Sequence, residues 1–109
     1  MVGLKDIKKI YLYGDGVSFR SGIMGLSNLI LTHFDENKIE GCLFVFFNKT
    51  KRQLKALQFD KTGIWLYQKK SYNKSFIFPQ VSRNGKIIID KEQLISIIKS
   101  LEITSKNRQ

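Results

Sequence analysis

Cysteine, proline, histidine and acidic side chains are all scarce in this chain of 109 residues. The single cysteine, Cys42, excludes a disulfide framework or a zinc cage built within the chain, and a reducing, cytoplasmic setting is the expectation. One proline, with no Gly- or Ser-rich stretch, leaves no linker, low-complexity segment or internal repeat. No apolar run approaches the roughly 18 residues of a membrane span, and the opening MVGLKDIKK has no signal-peptide core. Acidic residues number nine against 19 Lys and Arg, a net charge of +10. Such an excess speaks of partners and solubility rather than of fold. Nucleic acid, an anionic membrane or an acidic protein would each suit it.

What the chain has is core material. It is 42% hydrophobic and 12% aromatic, enough for one α+β domain over residues 1–103, with residues 104–109 expected as a frayed tail. The positive charge is local. Residues 49–86 hold ten basic groups against Asp60 alone, a net +9. That block is either a solvated Lys-rich surface or an anion-binding face.

The segment 7–13, IKKIYLY, reads as a first strand, broken by Gly14-Asp15-Gly16. A helix is expected over 21–34, with Ile23, Leu26, Ile30 and Phe34 on one face and Ser18 or Ser21 as its cap. Gly22 and Gly25 weaken that helix and suggest close backbone approach to a strand or a ligand. The polar stretch 35–41 is a loop. Strands are expected over 42–47, 53–59, 64–69 and 75–78, the last ended by Pro79. Asp60 and Gly63 suit a type I turn with a G1 bulge. That register pairs Phe59 with Trp65 and Leu57 with Tyr67, and sets Lys55 opposite Lys69. Residues 83–86 read as a turn into a short strand, 87–89. A closing helix over 90–101 is opened by the Asp90/Gln93 capping box and carries Leu94, Ile97, Ile98 and Leu101 as its stripe. The sum is an antiparallel sheet of five to six strands, with one helix after the first strand and one at the C-terminus.

Catalytic patterns are weak. Asp15 with Glu36-Asn37-Lys38 matches a restriction-nuclease spacing formally, but Glu36 lies in a loop where a strand is wanted. His33 stands alone at a helix end, and Cys42 opens a buried strand with no adjacent base. No triad, metal-ligand cluster or nucleotide fingerprint is present, so neither enzyme activity nor a cofactor is expected. Binding patterns are stronger. Lys55, Leu57, Phe59, Trp65, Tyr67 and Lys69 would share one hairpin face, as a base-stacking platform or, more simply, as core. Asn48-Lys49-Thr50-Lys51-Arg52 is a cationic hairpin tip suited to phosphates. The segment 16–22 offers two Ser hydroxyls, Arg20 and helix N–H groups to an anion, without the Lys-Ser/Thr ending of a P-loop.

The order of these motifs resembles the TnpB-type accessory proteins, the second open reading frame of transposons of the insertion-sequence-sixty-six family. These are distinct from the RNA-guided nuclease that shares the TnpB name. The matching elements are Ile10-Tyr11-Leu12, Gly16, Phe19-Arg20, Gly22-Ile23-Met24-Gly25-Leu26 and Gly41-Cys42-Leu43-Phe44-Val45-Phe46. The basic loop 48–52 follows, then Lys55 through Lys70 around Asp60 and Gly63, Phe76-Ile77-Phe78-Pro79 and a final helix. Ser18 stands where the family has Asp, Lys70 where it has Arg, and the Gly after the last helix is absent. The resemblance covers residues 8–101. It implies a non-catalytic accessory protein beside a larger DDE transposase that carries the chemistry. In the resulting reading Arg20, Lys49, Lys51, Arg52, Lys55, Lys69, Lys70 and Lys74 contact DNA phosphates. The alternative is a module that docks on the transposase without touching DNA. A membrane role lacks its basic amphipathic helix.

Overall fold

The computed structural model describes residues 6–77 and 86–106. Its elements are β1 (Lys9–Tyr13), α1 (Gly22–His33), a 3-10 turn (Glu36–Lys38), β2 (Cys42–Phe47), β3 (Gln53–Phe59), β4 (Ile64–Lys70), β5 (Lys86–Ile89) and α2 (Lys91–Lys106). The strands form one sheet in the order β4-β3-β2-β1-β5.

β2 organises everything else. Its six residues, CLFVFF, have no polar alternation, and all six are buried. A strand of this kind needs cover on both faces, and the two helices supply it. Phe44 and Phe46 point towards α1, where Leu26 and Ile30 are buried and Ile23 and Phe34 pack at the margin. Leu43, Val45 and Phe47 point the other way, towards Leu94 and Ile97 of α2, with Ile98 and Leu101 beside them. Both expected helical stripes are therefore the core-facing ones. The capping box of α2 is reciprocal: the Gln93 N–H donates to Asp90 Oδ1 at 2.7 Å, and the Asp90 N–H donates to Gln93 Oε1 at 2.8 Å. α2 runs to Lys106, past the expected end at Leu101; residues 107–109 lie outside the described residues.

The α+β class and five strands match expectation, but the sheet is mixed rather than antiparallel. β1 and β2 are parallel, Ile10 beside Leu43 and Leu12 beside Val45, while the other three pairings are antiparallel. The cause is α1: a helix between two strands carries the chain back to its starting end, so the second strand runs alongside the first. Gly22 and Gly25 also have causes other than the expected one. Gly22 takes φ +64°, and nothing lies near the place a Cβ would occupy; Gly25 is overlaid by the Ser21 side chain. Neither meets a strand. Ser21 makes no side-chain cap, and Ser18 Oγ accepts only from the Arg20 N–H at 3.2 Å.

The β3–β4 hairpin turns where expected but in a register shifted by one. Phe59 pairs with Ile64, Leu57 with Leu66, Lys55 with Gln68 and Leu54 with Lys69. A G1 bulge needs a left-handed glycine, whereas Gly63 is not left-handed. Asp60 closes the turn with its own carboxylate instead. Oδ1 accepts from the Thr62 and Gly63 N–H groups at 2.8 and 2.9 Å, and Oδ2 from Trp65 Nε1 at 2.9 Å. These bonds hold the Asp60 carboxyl below its ordinary range, the Thr62 N–H foremost. Because side chains alternate, the shift divides the expected platform. Lys55, Leu57 and Phe59 face α1, and Trp65, Tyr67 and Lys69 face the other way.

Residues 75–77 are not a strand. The segment after β4 folds back on the β2–β3 tip: Ser71 N–H donates to Arg52 O at 2.8 Å and Phe76 N–H to Lys51 O at 2.7 Å. Phe76 buries its ring 5.5 Å from that of Phe47. Phe78, Pro79 and the expected turn at 83–85 lie outside the described residues.

One core group is unsatisfied. Tyr13 stacks on Phe46 at 4.4 Å, and its buried hydroxyl meets no hydrogen-bond partner among the described residues. Burial pushes its pKa up to about 12. Removing an unpaired buried hydroxyl relieves a desolvation cost of about 1 kcal/mol or more, so Tyr13→Phe raises the unfolding free energy in urea by about that amount. Between about pH 10 and 12 the unfolded chain ionises first and the wild type loses stability. The Phe variant lacks that loss, which paired urea titrations at two alkaline pH values will read.

Candidate nucleic-acid interface

Two segments that are distant in sequence meet at one end of the sheet. The β2–β3 tip is held by Asn48: its Oδ1 accepts from the Arg52 and Gln53 N–H groups at 3.0 and 2.9 Å, and its Nδ2 donates to Thr50 Oγ1 at 3.2 Å. Lys51 takes φ 59° within this tip, a left-handed conformation that costs a non-glycine residue about 1–2 kcal/mol. The loop between β1 and α1 lies against the tip, the Val17 N–H donating to Phe47 O at 2.9 Å. Gly16 makes that approach possible, since a Cβ there would come 2.6 Å from the Lys49 Cα. Between loop and tip lies an open depression of about 590 Å³ lined by Val17, Ser18, Phe19, Arg20, Asn48, Lys49 and Gln53. Lys55 reaches over the Phe19 ring, its Nζ 4.9 Å from the centroid, a cation–π contact that orders a long side chain. The first turn of α1 opens on the same loop with no acidic residue and no side-chain cap, so the positive end of the helix dipole adds to the local field.

The expected site residues fall into three groups around this end. Arg20 and Lys49 line the depression, with Lys55 beside it; Lys70, paired with Gln53, points to the same side of the sheet. Lys51 and Arg52 sit in the tip itself. Lys69 points to the opposite face, and with Lys70, Lys74, Tyr72 and Leu101 it lines a second hollow beyond the end of β4. The expected single basic face is therefore a basic end that wraps around the sheet edge. Lys86, at the start of β5 and paired with Tyr13, belongs to the same end.

Seven of the nine acids gather at the other end. Asp35, Glu36 and Glu40 precede β2, Asp60 follows β3, Asp90 and Glu92 follow β5, and Asp6 precedes β1. At the tip end nine basic residues, Arg20, Lys49, Lys51, Arg52, Lys55, Lys69, Lys70, Lys74 and Lys86, stand against Asp15 and against Glu102, which follows Leu101 of the second hollow in α2. The formal nuclease spacing is also taken apart, because Asp15 follows β1 at the tip end and Glu36 precedes β2 at the other. Among the described residues no three His, Cys, Asp or Glu side chains converge as a metal site, and no helix is long and apolar enough to cross a membrane. Burial pushes the Cys42 thiol up, and its Sγ donates to Lys38 O at 3.5 Å. His33 uses Nδ1 on the Leu29 carbonyl of its own helix, at 3.1 Å.

Sequence reasoning missed Gln53 as part of the site, and it singled out the segments of Asn48 and Phe19 without naming either as a site residue. Asn48 carried a local signal, an Asx residue at the start of a hairpin loop; Gln53 and the Phe19 ring act across the fold. Gly16→Ala tests the assembly of the site without removing charge. Its Cβ would strike backbone rather than a movable side chain, so stability falls by about 1–3 kcal/mol. Thermal unfolding followed by circular dichroism measures this.

Among known proteins, a family model described as IS66 Orf2 like protein matches residues 8–108, nearly the whole chain. Neither a curated protein nor a solved structure matches it.

Proposed function

This chain belongs to the IS66 Orf2-like family, and from that membership we propose that it assists transposition by holding nucleic acid at the basic end of its sheet, beside a separate transposase that performs strand transfer. The family implies the accessory role. The observation that carries the nucleic-acid reading is the segregation of charge: nine basic residues against Asp15 and Glu102 at the tip end, the other seven acids before and after the strands at the far end. A random scatter of the same +10 would give a diffuse field, whereas gathered cations meet successive phosphates of one backbone. Arg20 and Lys49 suit phosphates entering the depression, and Lys51, Arg52 and Lys55 extend the track along the tip. Contacts of this kind position a duplex without reading its bases.

Fluorescence anisotropy on terminal-repeat DNA of the element, and on an unrelated duplex, tests this across a salt series. Each phosphate neutralised contributes about −0.9 to the slope of log K against log salt. Between four and eight contacts therefore give a slope of about −4 to −7, similar for both duplexes. Binding that is unchanged from low to high salt overturns the proposal. A transposase complex that survives nuclease treatment, together with no measurable DNA binding, would favour docking on the transposase instead.

A further inference from the structure

Among the described residues, β4 is the last strand on its side of the sheet. The hydrogen bonds Asp60 N–H to Gly63 O and Ser71 N–H to Arg52 O bracket its pairing with β3. By the alternation of an antiparallel ladder, Trp65, Tyr67 and Lys69 turn their backbone groups inward, and Ile64, Leu66, Gln68 and Lys70 present theirs outward. Such a row is a template for another strand, and proteins usually blunt it with proline, bulges or charge along its length. β4 has seven residues, no proline and a continuous one-to-one register. Its first half is apolar and open: Ile64 is 37% exposed, Trp65 39% and Leu66 37%. Only its second half carries charge, in Lys69 and Lys70.

We propose that this edge accepts an extended acidic segment of another protein as a sixth strand. Charge complementarity selects the occupant. β4 carries cations and no acid, and Lys61 stands at the turn below it. The carboxylate at that turn, Asp60, is already engaged by Thr62, Gly63 and Trp65. The Trp65–Asp60 bond also fixes the indole at the rim, where it offers an apolar surface to an incoming side chain. A partner strand alternating acidic and apolar residues would place carboxylates by Lys69 on the face of Trp65 and Tyr67, and bury the apolar residues on Ile64 and Leu66 of the other face. A second copy of this chain would instead bring another +10 molecule against the same lysines. The inference shares Lys69 and Lys70 with the nucleic-acid reading and adds outward backbone groups that DNA does not need, so loss of peptide with DNA affinity kept tells the two apart.

The probe is a peptide of about ten residues alternating Val and Glu, titrated into the full chain and followed by nitrogen-15 NMR and amide exchange. The expected result is saturable binding with a dissociation constant below about 1 mM and about tenfold slower exchange at Ile64, Leu66, Gln68 and Lys70. Leu66→Pro removes an outward donor without removing any bond to β3, so the chain stays folded and loses the peptide while keeping its DNA affinity. Lys69→Glu/Lys70→Glu reverses the preference towards a Val/Lys peptide and decides the matter should the proline variant fail to fold. No protection at saturating peptide overturns the proposal, as does binding indifferent to both variants. Protection of the same amides without peptide, with a sedimentation coefficient that rises with concentration, would assign the edge to a second copy and overturn it as well.

Discussion

Phe44→Ala lowers the unfolding free energy by about 3–5 kcal/mol, the range for removing a fully buried phenylalanine. Phe44 has no exposed surface and lies in the middle of the central strand. Its ring is 5.4 Å from Tyr11, 5.0 Å from Phe34 and 6.1 Å from Phe59, so it joins β1, the end of α1 and the end of β3. Truncation leaves a void that rigid strands on both sides cannot close, and the edge-on ring contacts are lost with it. A domain of this size has about 5–15 kcal/mol in total, so the variant gives up a large share of it and melts roughly 12–25 °C lower. Met24→Ala, on the exposed side of α1 at 66% exposure, stays within about 0.5 kcal/mol. A Phe44→Ala cost under about 1 kcal/mol would mean that the α1 face of the sheet repacks freely. Chemical denaturation of both variants measures the difference.

The features legible in the sequence were those decided within a few residues. The stripe of α2, its Asp90/Gln93 box, the buried CLFVFF strand and the place of the Asp60 turn all follow from local spacing. What escaped was decided by residues far apart. Whether β1 and β2 run parallel depends on the helix between them returning across the sheet, and the pattern KIYLY is silent on direction. The β3–β4 register depended on one backbone torsion at Gly63 and on the carboxylate of Asp60, and an error of one residue there exchanged the faces of Trp65, Tyr67 and Lys69. The alternation in Ser75-Phe76-Ile77 looked like a strand because Phe76 must be buried, yet its partner is Phe47 across the fold. The same limit applies to the site. Arg20 and the 48–52 tip were each visible as cationic segments. Their meeting rests on Gly16, whose missing side chain matters only once the loop lies on Lys49.

Arg20→Ala/Lys49→Ala/Lys51→Ala/Arg52→Ala, compared with Lys9→Ala/Lys38→Ala/Lys61→Ala/Lys91→Ala, separates position from net charge. Each set removes four positive charges. The first empties the depression and the tip; the second thins the end where β2 begins and β3 ends, among the acids. If duplex DNA follows the basic end, the first set reduces the salt slope by about 3–4 and weakens binding at moderate salt by at least about a hundredfold. The second set leaves the slope within about 1 of the wild type, because Coulomb effects from the far end are screened over a Debye length of about 10 Å while the sheet strands separate the two ends. Lys9, Lys38 and Lys61 are exposed and Lys91 is half-buried, and thermal unfolding of both sets checks that a loss of stability does not imitate the result; alanine at position 51 keeps the left-handed cost. Equal losses from both sets would show that the charge acts as a diffuse field, and the basic end would then lose its standing as a binding surface.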